Sequence, residues 1–335
     1  MSVSLDYIER CAAETGYAAV SLEKVTRLGE IASAIAHHPL LGDALALKGG
    51  TAFNLCFGDA PARLSVDLDY NYIALAEREK MLEDRPRIED AVGTLIQRLG
   101  YRVQRSADAF AGRKTFAIYR SVLGPSERVE IDLNFLWRVP LAGVEQAALW
   151  QPGELDRPKV QTVSLLELCV GKLLALFDRT APRDAWDVAR FPVIAADTIK
   201  SSSFRKWFIA SSATLPHPLP TYTRERLATR LTREFIDEQL VPMIATSSSA
   251  DVEELCDRAW TVVAPFTQLN DDEEKYVNEI HNAALRPELL FPEDSAEARR
   301  LASHPAIRWK VENVRQQHEK LGQRGTTTAN DPKQD

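Results

Sequence analysis

The sequence predicts an α+β protein: a sheet flanked by helices over residues 1–155, followed by a helical domain over 156–320. Three observations carry this reading. VDLDYNYI (66–73) and RVEIDLNFLW (128–137) alternate polar and apolar residues, which is the period of strands. After about residue 155 the strand pattern fades into helical segments broken by prolines. A chain of 335 residues is long for a single core, so two domains are the natural division.

The elements follow in order. SLEKVTRLGEIASAIAHHPLLG (21–42) places Leu22, Val25, Leu28, Ile31 and Ile35 on one helical stripe, with Ser21 as the expected N-cap. ALALK (44–48) is a short apolar strand that meets Gly49-Gly50, a tight turn from which a helix is expected near Thr51. VDLDYNYI then sets Asp67, Asp69 and Asn71 on one face and Leu68, Tyr70 and Tyr72 on the other. The charged stretch from Glu77 reads as a helix closing at Gly100. RVQRSADAF and KTFAIYRSVL read as a strand pair. In RVEIDLNFLW, Glu130, Asp132 and Asn134 share a face opposite Val129, Ile131, Leu133 and Phe135. SLLELCVGKLLALFDR (164–179) is a helix with Ser164 and Glu167 in capping-box spacing. APRDAWDVARF (181–191) is a second helix, with Pro182 suited to its first turn. Residues 321–335 are almost without apolar side chains and are expected to be a disordered tail.

Composition narrows the function. The net charge of −7 argues against non-specific coating of nucleic acid. No apolar run is long enough to cross a bilayer, so no membrane role is expected. The N-terminus carries an early Asp6 and Glu9 and no apolar core of a signal peptide. Cys11, Cys56, Cys169 and Cys256 lack metal-like spacing and read as reduced thiols, so a cytoplasmic location is expected. TYTRERLATRLTREF (221–235) is a basic stretch, but its Glu–Arg spacing equally suits a solvated helix face.

The chemistry concentrates in the first domain. Asp67 and Asp69, two residues apart on a strand, point the same way and can share a hard cation. Asp132, on a second strand with the same pattern, supplies a third carboxylate. Three carboxylates from two strands suit a two-magnesium site for phosphoryl or nucleotidyl transfer. A lone D-x-D is weak, because a polar strand face gives the same pattern. Here Gly49-Gly50-Thr51 lies just upstream, where backbone N–H groups and a helix N-terminus favour phosphate.

These motifs resemble the signature of DNA-polymerase-β-like nucleotidyltransferases, and more closely the AbiEii/MenT toxins of type IV toxin–antitoxin systems. The matching residues are Lys48-Gly49-Gly50-Thr51, Arg63-Leu64-Ser65-Val66-Asp67-Leu68-Asp69 and Val129-Glu130-Ile131-Asp132. Lys172, Arg179, and Arg183, Asp184 and Asp187 in RDAWD resemble a second family block. LLFPEDSAEARRLASHPAIRWK, with His304-Pro305 and Trp309-Lys310, resembles a third, so the likeness runs from about residue 25 to 315.

The resemblance implies a nucleotidyltransferase-fold mixed sheet followed by a helical C-terminal domain, with the nucleotide in the cleft between them. It implies that Gly49, Gly50 and Thr51 hold a nucleoside triphosphate, with Ser65 beside it, and that Asp67, Asp69 and Asp132 bind two Mg2+ ions. Asp132 is then either base or ligand only. Lys172 would reach the phosphates, and Asp187 or Asp184 would orient Lys172 or a nucleotide hydroxyl. Arg179 and Arg183 would either bind phosphate or lock two helices together. For the MenT-like group the implied acceptor is the 3′ end of tRNA, extended so that it can no longer be charged, with a cognate antitoxin as protein partner. Arg224, Arg226, Arg230 and Arg233 are then a candidate tRNA-facing surface. Two other reactions share these residues: transfer to a protein or small-molecule hydroxyl, and a kinase-like phosphotransfer with Ser65 as acceptor. A non-catalytic binding module has no need of three aligned carboxylates.

Overall fold

The computed structural model describes residues 3–327, with side chains as far as residue 320. Seven strands form one mixed sheet: β1 (Leu45–Lys48), β2 (Asp67–Tyr72), β3 (Arg102–Arg105), β4 (Gly112–Arg120), β5 (Ser126–Asn134), β6 (Val144–Ala148) and β7 (Lys159–Val163). Their order across the sheet is β3-β4-β5-β2-β1-β7-β6. β2 runs parallel to β5 and β1 parallel to β7, and the other neighbours are antiparallel. β7 extends the sheet beyond residue 155, where strand structure was expected to end. Neither β6 nor β7 shows the long alternation that marks β2 and β5, because each is only five residues long.

The helices that position the site are α1 (Leu5–Thr15), α2 (Ala19–Ala36), α3 (Leu41–Ala44), α4 (Gly49–Cys56), α5 (Arg78–Arg98), α6 (Leu165–Arg179) and α7 (Pro182–Ala189). α2 and α5 cover the apolar face of the sheet. Arg27 of α2 lies over the Tyr119 ring, and the Tyr72 hydroxyl donates to Asp84 of α5 at 2.7 Å. α4 and α6 lie on the carboxylate face. Helices from Ala196 to Thr327 build the second, all-helical layer around Trp207, Phe208 and Tyr276.

Local readings needed three corrections. α2 starts at Ala19, so Ser21 is not its N-cap. It lies inside the helix and is buried. The capping box at α6 is half formed. Ser164 accepts from the Glu167 N–H at 3.3 Å, but the Glu167 carboxylate turns inward and accepts from the Leu141 N–H at 2.6 Å. The last helix, Pro305–Thr327, runs into the stretch expected to be a tail, and residues 328–335 lie outside the described residues. Cys11, Cys56, Cys169 and Cys256 are free thiols. Among the described residues no helix is long and apolar enough to cross a membrane.

Glu167 makes stability depend on pH. Burial pushes its carboxyl up to about 8 from 4.5, against the pull of the Leu141 N–H, Lys48 and Arg300. A folded-state pKa above the unfolded value means that the native state holds the extra proton. The contribution is therefore complete below about 4.5 and is lost as pH rises through about 8. Glu167→Gln keeps the acceptor for Leu141 and removes the titration. Urea midpoints of the variant should gain on those of the native chain as pH rises across this window, and parallel profiles would contradict the assignment.

Candidate active site

The site is built where β1 turns into α4. Lys48 leaves β1 extended and Gly49 adopts φ 72°, a left-handed conformation that costs glycine little. A side chain at Gly49 would collide with Asp69 Oδ2. One at Gly50 would lie 2.7 Å from Ser65 Oγ and 3.0 Å from Arg63 Nη2. The turn therefore sits directly on the carboxylate strand, with Ser65 beside it. Thr51 has a different place from the one expected. It is fully buried, and its hydroxyl donates to the Asp67 carbonyl, so it fixes β2 under the turn rather than facing a ligand.

The parallel register of β2 and β5 sets Asp67 beside Glu130 and Asp69 beside Asp132. Paired residues share a face, so four carboxylates lie together. Two lysines border them. Lys48 is opposite Asp69 across β1, and Lys114 is opposite Asp132 across β4. The Lys114 ammonium pairs with Glu130. Burial raises the pKa of Asp67, and the charges of Asp69 and Glu130 add to it, while Arg183 and Lys114 oppose. Burial also raises Asp132, followed by Asp69, with Lys48 and Lys114 opposing. Crowded negative charge of this kind favours a divalent cation, and an all-carboxylate donor set suits a hard one. As placed, no three His, Cys, Asp or Glu side chains among the described residues converge as a metal-holding group.

The second cluster joins α4 and the segment before β2 to α6 and α7. Asp187 of α7 is fully buried and accepts from Arg63 Nε at 2.7 Å and Nη2 at 2.6 Å, and from Asn54 Nδ2 at 3.0 Å. The Lys172 ammonium lies 2.7 Å from Asp187 Oδ2 and 4.0 Å from Asp184 Oδ1. Burial alone would raise the Asp187 pKa, but the Arg63 and Lys172 charges overcome it and hold the carboxyl at about 2. Asp184 is gripped by Arg179 through Nε at 2.6 Å and Nη2 at 3.0 Å, so Arg179 locks α6 to α7. Arg183 makes no hydrogen bond or ion pair among the described residues, and its charge reaches Asp67. It is the arginine of this block that is spare for phosphate.

Reading the sequence alone missed Glu130, Lys114 and Arg63 as members of the site. Glu130 and Arg63 stand inside the quoted motifs without a role, whereas Lys114 is defined only by strand register. The basic stretch 221–235 does not form an open cationic surface. Arg224 binds Glu253 and Asp257, each at 2.7 Å, Arg233 binds Asp237, and Arg226 lies over Tyr222 at 4.3 Å. Only Arg230 carries no such contact among the described residues.

Comparison with known proteins bears on this geometry. The family model described as "Nucleotidyl transferase AbiEii toxin, Type IV TA system" matches residues 33–262, over half of the chain. The third motif block, ending at Lys310, lies outside that match. Among solved structures the chain is similar to MenT4, a nucleotidyltransferase toxin from Mycobacterium tuberculosis H37Rv. The TM-score is 0.61 and the identity 19%, with 93% of this chain and 98% of that chain covered. A comparison with curated proteins gives no match.

Removing one partner from a buried ion pair leaves its charge uncompensated, at a cost of about 3–5 kcal/mol. Arg63→Ala, which withdraws two hydrogen bonds from Asp187, should lower urea-unfolding stability by about that much. A loss within the scatter of surface substitutions would show that Lys172 and Asn54 hold Asp187 without it.

Proposed function

The chain belongs to the AbiEii nucleotidyl transferase toxin family of type IV toxin–antitoxin systems, and from that premise we propose that it is a magnesium-dependent enzyme that adds nucleotides to the 3′ end of tRNA. Extension of the 3′ end would block charging and arrest growth. Family membership also implies an antitoxin as its protein partner. One observation carries the catalytic reading: the Gly49-Gly50 turn lies against Asp69 and Ser65, on the face that Asp67, Asp69 and Asp132 share.

Each residue has a task in this reading. The backbone N–H groups at the start of α4 hold the triphosphate, helped by the unpaired Arg183. Asp67 and Asp69, with Asp132, would hold the magnesium, which neutralises charge on the triphosphate when bound. The acceptor hydroxyl oxygen bonds to the α-phosphorus, the bond to the β-phosphate oxygen breaks, and pyrophosphate leaves. Asp132, beside Asp69 in the strand register, is the carboxylate that accepts the hydroxyl proton. Lys172 and Asp187 act from behind, fixing α6 and α7 against the turn.

The test uses the purified chain, magnesium, total tRNA and each α-labelled nucleoside triphosphate in turn. Label should enter tRNA with at least one nucleotide and be lost in Asp67→Ala. Absence of label with every nucleotide would overturn the tRNA reading. Label on the protein from a γ-labelled nucleotide would instead indicate phosphotransfer.

Gly49→Ala provides a second check. The new methyl group must displace the Asp69 carboxylate and strain a backbone at φ 72°. Transfer should fall at least about a hundredfold, the scale of misplacing a reacting group by an ångström. Full activity in this variant would remove the turn from the mechanism.

A further inference from the structure

A cleft of about 1190 Å³ opens away from the carboxylates, between the N-terminus of α5, the loop joining β3 to β4 and the last helix. α5 packs on the opposite face of the sheet, so this is a separate place from the triphosphate site. Its rim carries two exposed aromatic rings, Phe110 at 61% and Trp309 at 44% exposure. They come from the two domains and stack on each other, with centroids 5.9 Å apart and planes at 28°. The loop bearing Phe110 is fixed from below. The buried Arg85 donates to the carbonyls of Phe110 at 3.3 Å and Ala109 at 3.0 Å, and pairs with Asp108. Two exposed rings on a braced loop and a helix form a platform rather than a core.

The charges of the cleft do not cancel locally. Arg85 is taken up by Glu89 and Asp108, Arg315 by Glu312, and Glu77 by Lys80. Arg78, Arg138 and Arg308 remain, against Glu79. Arg138 is buried and donates only to carbonyls, those of Ala76 at 2.7 Å and Phe135 at 3.1 Å, which leave its charge unpaired. Burial, and next the neighbouring Arg78, lower its pKa, so an anion at this position is favoured. The Arg78 and Arg308 guanidiniums carry no hydrogen bond or ion pair among the described residues. The volume exceeds the roughly 300–1,000 Å³ of small-molecule sites, which suits a polymer segment better than a metabolite.

We propose that this cleft binds a stretch of unpaired nucleotides of the RNA substrate, away from its reacting end. A base stacks on the Phe110–Trp309 platform, and the phosphates lie against Arg78, Arg138 and Arg308. Aromatic faces accept any base, and unpaired guanidiniums follow the backbone, which together are the marks of single-strand binding. The proposal rests on the nucleic-acid reading above.

The test is fluorescence anisotropy of a short fluorescein-labelled oligouridylate with the full chain, without nucleoside triphosphate. Phe110→Ala and Trp309→Ala should each weaken binding about tenfold, the scale of one lost base stack, while Trp309→Phe retains most of it. Both positions are exposed, and circular dichroism checks that the variants fold. Arg78→Ala/Arg308→Ala should flatten the salt dependence. No binding by the native chain, unchanged affinity in both alanine variants, or equal competition by a duplex or by uridine monophosphate would each overturn the proposal. The transfer assay separates the two claims. tRNA labelled at an undiminished rate by both alanine variants at limiting tRNA overturns the cleft and leaves the transferase. Oligouridylate binding that depends on Trp309, without label entering tRNA, overturns the tRNA reading and leaves the cleft.

Discussion

The buried Asp187 carboxylate is the constraint on which the rest of the structure depends. It belongs to α7, yet two of its partners, Arg63 and Asn54, lie more than a hundred residues earlier in the chain, and the third is Lys172 of α6. A carboxylate fully removed from water is tolerable only if its charge is compensated at short range. That requirement fixes α7 relative to α4 and Arg63 more strictly than apolar packing does, because hydrogen bonds are directional and apolar contact is not. Asn54 lies in α4, the helix that Gly49-Gly50 opens. The position of the glycine turn is therefore tied to Asp187 through one helix.

On the other side of α4 the electrostatics are reversed. Asp67, Asp69, Glu130 and Asp132 crowd one face, with Lys48 and Lys114 beside them and the Arg183 charge reaching Asp67. The same burial that Asp187 withstands through its cations here raises the pKa of Asp67 and Asp132. Such crowding of like charge costs the fold stability, and a cation bound there, as proposed above, would relieve it. The compensated cluster behind it supplies the rigidity that this crowding requires.

Much of this was legible in the sequence. Asp67, Asp69 and Asp132 could be placed because a period of two assigns faces without knowledge of the partner strand. The glycine turn was legible because only glycine suits its backbone and close approach. Arg63, Glu130 and Lys114 were not assigned as site members, since their roles come from register and from contacts across more than a hundred residues or between strands. Thr51 was misplaced for a related reason. Its hydroxyl suits a phosphate or a carbonyl equally well, and only the packing of β2 against α4 decides which. β7 escaped notice because KVQTV is brief and its only buried apolar side chains are Val160 and Val163.

The arginines show how function separates from structure in a chain of net negative charge. Arg63, Arg179, Arg224 and Arg233 are all consumed by carboxylates of the same molecule. A cation already paired offers a ligand little, since the ligand must displace its partner. The basic look of residues 221–235 thus disappears once the fold brings Glu253 and Asp257 to Arg224. Arg183 faces Asp67 with no partner of its own among the described residues, and Arg78 and Arg308 line a cleft without one. The polyanionic substrate proposed above would have the charge to meet them at both places.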